Sequence, residues 1–222
     1  MKNIIKGIIV VLPWPIKRIF LQLFFGYELH PNSKIGFSWI YPDKLIMEKD
    51  SKIGHLNVAI HLHLIHLKAG ATINRSNWIT GFSIKNSSKH FQHQLNRNPQ
   101  LILDEQSAIT KQHHLDCTNS IYIGKYTTIA GYQSQFLTHS IDIEKGIQDS
   151  EPIKIGSYCF VGTNVVILGG AALPDYSVLG AKSLLNNKYL ELYSFYGGVP
   201  AKFIKSLPKN SAYFLRNSGF VY

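Results

Sequence analysis

Cysteine is scarce in this sequence: Cys117 and Cys159 are the only two among 222 residues. Two cysteines cannot supply the disulfide framework on which small secreted domains depend. Hydrophobic residues make up 45% of the chain and charged residues 16%, which is enough apolar material for a sizeable core. We therefore predict that both cysteines are small buried side chains in a reducing compartment, and we place the protein in the cytoplasm.

Acidic residues are also few, with 13 Asp and Glu against 23 Lys and Arg and a formal net charge of +10. Such an excess favours anionic partners: nucleic acid, phosphorylated cofactors or an anionic membrane surface. The basic residues are scattered, however, and no nucleic-acid-binding signature is present. The sequence therefore predicts no nucleic-acid partner.

A long uninterrupted apolar run is missing as well. Residues 4–25 are strongly apolar but are interrupted by Pro13, Pro15, Lys17 and Arg18. A membrane-spanning helix needs about 20 apolar residues without charges, and a signal peptide would show a small-residue cleavage site. We expect neither here, and two interpretations of this extension stay open.

In the first interpretation, the extension makes peripheral contact with the inner face of a membrane. Its aromatic side chains enter the headgroup layer and its basic side chains stay at the surface. In the second, the extension caps one end of the domain core. The side chains assigned to the membrane in the first interpretation are Trp14, Phe20, Phe24, Phe25, Lys6, Lys17 and Arg18.

An aliphatic residue recurs every six positions through much of the chain. In the C-terminal half the hexads are IGSYCF, VGTNVV, ILGGAA, LPDYSV and LGAKSL, starting at residue 155. The same period precedes them, with a two-residue shift between Ile121 and Ile123, and Ile35 and Ile53 lie eighteen apart. The recurring positions are Leu67, Ile73, Ile79, Leu103, Ile109, Leu115, Ile121, Ile123, Ile129, Ile155, Val161, Ile167, Leu173 and Leu179.

A six-residue period fits neither an α-helix nor simple strand alternation. It indicates short strands separated by turns, with the aliphatic residue pointing into a narrow core and a neighbouring glycine permitting the corner. Stacked coils then pair their strands at about 4.8 Å spacing, with hydrogen bonds running along the stack. The sequence therefore predicts an all-β chain folded as a parallel β-helix.

Two segments break the period and are predicted to protrude as loops, residues 86–100 and 141–154. The period also stops after Leu185, where we expect a capping tail with a short helix near residues 189–193. We accordingly divide the chain into an apolar N-terminal extension (1–30), a β-helix domain (31–185) and a C-terminal cap (186–222).

Four short motifs carry a family resemblance. They are LTHS at 137–140, followed by a loop and PIKIG at 152–156; CFVG at 159–162; GAKS at 180–183; and GVPAK at 198–202. With these motifs, residues 103–207 resemble the left-handed parallel β-helix, hexapeptide-repeat acyltransferases. The chain is most similar to the sugar and polysaccharide branch, such as the colanic-acid and maltose O-acetyltransferases.

The resemblance implies a left-handed helix, against the usual crossover rule. It also implies a homotrimer with active sites between subunits and an acyl-CoA donor, most often acetyl-CoA. Lys182 replaces a glycine of the family pattern, Gly169 replaces a proline and Val199 an asparagine. The residues implied or suggested for coenzyme A binding are Gly162, Gly169, Ala181, Lys182, Ser183, Lys202 and Lys205, where the lysines are otherwise a solvated basic face.

Acyl transfer from a thioester to a hydroxyl requires a base that removes the hydroxyl proton as the oxygen attacks. His139, in the first motif, suits this role because a neutral imidazole has a pKa near neutrality. Its alternative is a surface histidine at the start of a loop. No metal is needed if donor and acceptor are bound together.

A general base usually has a partner that orients its ring. Asp116 and Asp142 are the candidates, and we favour Asp116 because residues about 18–24 apart meet on adjacent coils. Asp142 is then a candidate acceptor contact, as are Asn119, one coil below His139, and His114. Alternatively, His114 and the histidine before it are turn residues without a role in binding.

Three further histidines, His61, His63 and His66, are close together in sequence. On a strand His61 and His63 share one face and His66 points to the other, which is a poor set of zinc ligands. We therefore predict no metal site.

Together these features predict an acyl-CoA-dependent O-acyltransferase, acting on a sugar hydroxyl of a polysaccharide or lipid-linked glycan precursor. The alternatives that stay open are an N-acyltransferase acting on an amino sugar, a γ-carbonic-anhydrase-like enzyme and a non-catalytic β-helix that binds a partner.

Overall fold

The computed structural model describes residues 2–85 and 88–221. Asn86 and Ser87, at the start of the first predicted loop, lie outside the described residues, as do Met1 and Tyr222. Two helices come first, α1 (Lys2–Val11) and α2 (Trp14–Phe25), and strands follow almost without interruption.

The strands before the first protruding segment are β1 (Glu28–Leu29), β2 (Lys34–Ile35), β3 (Trp39–Tyr41), β4 (Lys44–Met47), β5 (Lys52–Ile53), β6 (Val58–Ile60), β7 (Leu64–Leu67), β8 (Thr72–Arg75) and β9 (Trp78–Thr80). After it come β10 (Gln100–Leu103), β11 (Ala108–Lys111), β12 (His114–Asp116), β13 (Ile121–Ile123), β14 (Thr128–Ile129), β15 (Gln135–Leu137), β16 (His139–Asp142) and β17 (Ile147–Ser150). The last are β18 (Ile153–Ile155), β19 (Phe160–Val161), β20 (Val166–Leu168), β21 (Ala172–Leu173), β22 (Val178–Leu179), β23 (Leu184–Leu185), β24 (Ser194–Gly197) and β25 (Lys202–Ser206), with the short helix α3 (Ala212–Leu215) beyond them.

Strands at successive coils pair in parallel and build three sheets. Sheet A runs β1-β4-β7-β10-β13-β18-β21, sheet B runs β2-β5-β8-β11-β14-β19-β22-β24-β25, and sheet C runs β3-β6-β9-β12-β15-β20-β23. The register aligns equivalent repeat positions, so that Ile35 pairs with Ile53 and Ile109 with Ile129. This is the parallel β-helix that the six-residue period predicts.

The repeat positions form the core of the coil. Ile155, Val161, Ile167, Leu173 and Leu179 are each at most 1% exposed. The two-residue shift at Ile121 and Ile123 has a simple cause: both side chains are buried because alternate residues of β13 face inward. One short strand thus contributes two residues to the core.

A ladder of buried polar side chains stabilises one corner, between sheets B and C. Asn57 Oδ1 accepts the backbone N–H of Asn77 at 2.9 Å, and Asn77 Oδ1 accepts that of His113 at 2.9 Å. In the next coil the backbone N–H of Ser134 donates to His113 Nδ1 at 3.2 Å. Each corner therefore satisfies a backbone donor of the following coil, which buried amides require.

Both protruding segments are present, with altered limits. The first lies between β9 and β10. The second is an antiparallel hairpin of β16 and β17, in which His139 pairs with Ser150. It ends before Lys154, because Ile153 is already buried in sheet A as part of β18.

The predicted helix near residues 189–193 is wrong. That segment has no regular secondary structure and bends at residues 192–193: the Tyr189 hydroxyl donates to the Ala201 carbonyl, and its ring packs on Tyr196 with centroids 4.3 Å apart. The strand pattern instead continues beyond Leu185, since β24 pairs in parallel with β22 and then in antiparallel with β25. These contacts close the open end of sheet B, which a terminal coil needs.

The N-terminal helices cover the opposite end of the core. Ile9 and Leu21 are buried in it, and Trp14 and Phe25 pack against it. Lys17 is 2% exposed, and its Nζ donates to the Gly36 carbonyl at 2.7 Å. The expectation that Trp14, Phe25 and Lys17 face a membrane is therefore wrong, because they face the coil. Within the described residues, no helix is both long and apolar enough to cross a membrane.

His113 makes stability depend on pH. Its side chain is fully buried, and burial lowers its pKa to about 4, so the folded chain keeps it neutral where the unfolded chain, with an ordinary pKa of 6.5, is protonated. Folding stability therefore falls as pH drops below 6.5, and we expect His113 to account for a loss of about 2 kcal/mol between pH 7 and pH 5.

Urea unfolding of the wild type and of His113→Asn at both pH values measures this loss. Asparagine is the matched replacement, because it already serves at the equivalent positions 57 and 77 of the ladder. The loss should be about 2 kcal/mol smaller in the variant, since the other titrating groups are common to both proteins. Equal pH slopes would contradict this origin.

Candidate active site

The corner that follows sheet C brings together two residues from adjacent coils. Asp116 ends β12 and pairs with Leu137, which ends β15. Thr138, which follows Leu137, is buried, and its hydroxyl donates to the Asp116 carbonyl at 2.8 Å. The chain then turns outward into the hairpin, and this places His139 beside the Asp116 carboxylate.

Asp116 and His139 form a hydrogen-bonded pair between Oδ2 and Nδ1. The same Oδ2 accepts the backbone N–H of His139 at 3.2 Å. The other oxygen, Oδ1, accepts the hydroxyl of Thr118 at 2.7 Å and its backbone N–H at 3.0 Å. With Asp116 ionised, Nδ1 is the donor, and Nε2 of a neutral His139 is left as the proton acceptor.

The pair shifts the pKa of each partner in opposite directions. The hydrogen bond to Asp116 raises the pKa of His139, against partial desolvation, and the Asp116 charge adds to the increase. Burial by itself raises the pKa of Asp116, but hydrogen bonds from His139 and Thr118 outweigh it and lower the pKa overall. Asp116 is therefore an ionised partner that stabilises the imidazolium form of His139.

Phe91 and Arg97, from the first protruding segment, pack beside this pair. The ring of Phe91 is 7% exposed and meets the His139 ring edge-on, with centroids 6.2 Å apart. Arg97 lies over Phe91, 4.7 Å from its centroid, and donates to the Thr118 carbonyl at 2.7 Å. This places a second wall beside the imidazole.

Gln94 joins the two protruding segments. Its Nε2 donates to Asp149 Oδ1 at 2.5 Å, and its Oε1 accepts the hydroxyl of Ser150 at 2.6 Å. Sequence reasoning identified both loops but not Phe91, Gln94 or Arg97, because no repeat or motif marks which residue of an aperiodic loop turns back onto the scaffold.

An open cleft adjoins His139, with Leu137, Ser140, Glu151 and Gly169 among its lining residues. Gly169 is required by close packing there: a Cβ at this position would lie 2.7 Å from the Thr138 carbonyl oxygen. Any side chain would displace the residue that precedes His139, so Gly169 keeps the cleft open and the histidine in place.

The predicted acceptor contacts lie in different places. His114 is exposed on the outer face of β12, the face that also carries Asp116. Asn119 is not stacked on His139: its side-chain amide donates to the Ser150 carbonyl at 3.2 Å. The physical reason is the register, which pairs Asp116 with Leu137 and so carries Asn119 past His139 to the hairpin.

Asp142 does not reach His139 either. It lies towards the tip of the hairpin, where its carboxylate binds Lys145 Nζ at 2.8 Å and accepts the Lys145 backbone N–H at 3.0 Å. Lys145 lowers the pKa of Asp142 through these hydrogen bonds. Asp142 is thus part of the turn, while Asp116 is the carboxylate beside the histidine.

The residues predicted to bind coenzyme A lie mostly at another corner, between sheets B and C. Gly162 packs against the next coil, since a Cβ there would lie 2.6 Å from the Ala181 backbone nitrogen. Ala181 and Lys182 are exposed, and Ser183 is buried, with its hydroxyl accepting the backbone N–H of Gly198 at 3.1 Å. Lys182 has a φ of 57°, in the left-handed region where the family pattern has glycine.

Lys202 and Lys205 are exposed in β25, the edge strand of sheet B. Of the seven residues predicted to bind coenzyme A, Gly169 is the one that lines the His139 cleft. In one chain, the outer face of sheet C therefore separates the histidine corner from the corner that carries Lys182.

The three clustered histidines do not converge. His66 Nε2 contacts Glu48 Oε1 at 2.8 Å, His63 Nδ1 lies 3.8 Å from Asp43 Oδ2, and His61 is an exposed corner residue. Over residues 2–85 and 88–221, no group of three or more His, Cys, Asp or Glu side chains is arranged to hold a metal ion.

No protein-family profile and no curated protein sequence matches the chain, whereas solved structures do. An N-acyltransferase from Bacillus cereus, solved with dTDP and 3-hydroxybutyryl-CoA, superposes with a TM-score of 0.51 at 12% identity, covering 87% of this chain and 89% of that one. A polysialic acid O-acetyltransferase superposes with a TM-score of 0.50 at 15% identity, covering 81% and 84%.

A hexapeptide-repeat-containing acetyltransferase from Vibrio cholerae is 26% identical over its alignment, with a TM-score of 0.46. That alignment covers 49% of this chain and 63% of the other, so this chain spans less than two thirds of that enzyme. The likeness to the first two structures concerns the fold, which is the left-handed parallel β-helix, as predicted.

The shifted pKa of His139 can be measured directly. Replacing Asp116 by Asn removes the charge and the acceptor that stabilise the imidazolium, so the pKa of His139 should fall. An NMR titration of the His139 Cε1 proton, assigned by its loss in His139→Ala, measures the change. An unchanged pKa in Asp116→Asn would contradict the pairing.

Proposed function

We propose that the chain is an acyl-CoA-dependent O-acyltransferase that acetylates a hydroxyl of a sugar in a polysaccharide or lipid-linked glycan precursor. The observation that carries this proposal is the Asp116–His139 pair, with Nε2 available beside an open cleft. The hexapeptide motifs and the fold shared with solved acyltransferases support it.

The chemistry follows from the arrangement of the pair. Nε2 of His139 removes the proton of the acceptor hydroxyl as its oxygen attacks the thioester carbonyl, and a C–O bond forms. Asp116 is a positioning residue that holds the tautomer and stabilises the imidazolium. The tetrahedral intermediate collapses with cleavage of the C–S bond, and the proton on His139 passes to the coenzyme A thiolate. The reaction so described needs neither a metal nor a covalent enzyme intermediate.

The two protruding segments offer a place for the acceptor. A groove between them is lined by His90 and His93 on one side and Ile147 and Gln148 on the other, and Phe91 lies in both this groove and the wall beside His139. An acceptor in this groove would approach Nε2 from outside the coil.

We place the donor between subunits of a homotrimer. The outer face of sheet C carries Trp78, 50% exposed, and the half-buried Val166 and Leu184 between the histidine corner and the Lys182 corner. Covering this face with a second copy would bring the Lys182 corner of one subunit towards His139 of the next. Lys182, Lys202 and Lys205 would then be available to the phosphates of coenzyme A.

Removal of the base tests the mechanism. In an assay of free thiol release from acetyl-CoA with a panel of sugars, His139→Ala should lower acceptor-dependent kcat about 10²–10⁴-fold, because it removes the general base. Coenzyme A affinity should be unchanged. The matched control is His61→Asn, an exposed corner position with φ of 65° that asparagine tolerates.

Release that survives in His139→Ala would assign the base to another residue. Release with amino sugars but not with hydroxyl acceptors would favour N-acylation. Coenzyme A binding without release for any acceptor would favour a binding protein.

Lys182→Gly tests the donor site without straining the backbone, because glycine is favoured at a φ of 57°. Loss of one exposed phosphate contact should raise the KM for acetyl-CoA about fivefold, leave kcat unchanged and weaken the dependence of KM on ionic strength. Gln133→Gly is the matched control, since it makes the same change at another B–C corner with φ of 58° and no charge. Equal KM values in Lys182→Gly and wild type would remove Lys182 from the donor site.

A further inference from the structure

Helices α1 and α2 both turn an apolar face outward. In α1 the exposed positions Ile4, Ile8 and Val11 follow one side of the helix. In α2 the exposed side chains fall at successive helical intervals of three and four: Ile16, Ile19, Phe20, Leu23 and Phe24. Leu23 is 75% exposed and Phe24 63%, so these are not the rims of a buried contact.

The inward side of α2 makes this arrangement unusual. A surface helix normally buries its apolar side and exposes its charges. Here Lys17 is buried beside Leu21, and its ammonium group is held by the Gly36 carbonyl. The helix therefore places a lysine on the side that faces the protein and leaves its larger apolar side uncovered.

The two outward faces adjoin. Ile5 of α1 and Phe24 of α2 line one groove between the helices, together with Lys6 and Phe25. The exposed side chains thus form a continuous apolar surface at the end of the coil opposite to β25. Contiguous surfaces of this kind on a protein indicate an interaction site.

The two helices carry cations and no carboxylates. Residues 1–27 contain no Asp or Glu, and because Lys17 faces the coil, Lys6 and Arg18 are the cations considered for this surface. Arg18 is half-buried at the edge of the exposed face of α2, and Lys6 Nζ lies 4.8 Å from the centroid of the Tyr41 ring. An apolar face on two helices that carry cations and no carboxylate complements an anionic lipid surface, where the apolar side chains enter the acyl region and the cations meet the headgroups.

We propose that α1 and α2 dock flat on an anionic phospholipid bilayer, with Ile8, Val11, Ile19, Leu23 and Phe24 at the acyl boundary and Arg18 and Lys6 at the headgroups. The helices cap the coil with one side and bind lipid with the other. This surface is independent of the active site, so the proposal stands whether or not the chain is an acyltransferase.

Vesicle co-sedimentation tests the proposal with the full chain. Wild-type protein should sediment with vesicles in which about a third of the lipid is phosphatidylglycerol, and far less with pure phosphatidylcholine. The double variant Leu23→Asn/Phe24→Asn should partition at least about a hundredfold more weakly, because two large apolar groups are lost from the contact. Arg18→Glu should weaken binding more than about tenfold, on anionic vesicles only.

Leu190→Asn/Leu192→Asn is the matched control, because it removes two exposed apolar side chains from the tail at the other end of the coil. It should sediment like the wild type. Circular dichroism establishes that each variant is folded, as expected for changes at exposed positions.

Three results would overturn the proposal. The first is wild-type protein that stays in the supernatant with both kinds of vesicle, and the second is vesicle binding that the Leu23/Phe24 variant retains. The third is an assembly, measured by analytical ultracentrifugation without lipid, that becomes smaller in this variant, since it would assign the apolar face to a second copy of the chain.

Discussion

The core of this protein is the narrow interior of a single coil, so the parallel strands of the three sheets must place an apolar side chain inward at the same point of each turn. Ile109, Ile129 and Val161 show the constraint: they lie in consecutive coils of sheet B, pair in register and are completely buried. Because the strands are parallel and stacked, their backbone hydrogen bonds run from coil to coil. Each coil is then both the template and the cover of the next.

This constraint leaves the corners as the places where the sequence can vary. Some corners carry buried polar side chains, such as Asn77 and His113, that satisfy the backbone of the following coil. Others carry insertions, and both long insertions of this chain project beside the same corner. Asp116 belongs to the coil, and His139 is the first residue of the hairpin. The scaffold therefore positions the carboxylate, and the insertion supplies the imidazole.

The two ends of the coil are closed in different ways. At the C-terminal end, β24 and β25 extend sheet B and Tyr189 packs on Tyr196. At the N-terminal end, two helices cover the core with Ile9 and Leu21 and leave the opposite face apolar. The first arrangement closes an edge by more of the same hydrogen bonding, and the second closes it by hydrophobic packing together with the hydrogen bond from Lys17 to the Gly36 carbonyl.

The coil could be predicted from the sequence, because the period of aliphatic residues is a local pattern that the backbone must follow. It also indicated both insertions, and the motif around His139 directed attention to one corner. Which residues of the insertions contact the histidine depends on the folded arrangement, since Phe91 meets its ring and Gln94 meets its hairpin through contacts between distant segments. The same holds for Asn119: the register of the coils places its side-chain amide on the Ser150 carbonyl and not against His139. It also holds for Lys17, whose side chain faces the coil although Ile16 and Ile19 face outward. Side-chain direction at a corner or on a capping helix depends on the length of the turns before it, and a local pattern does not record that length.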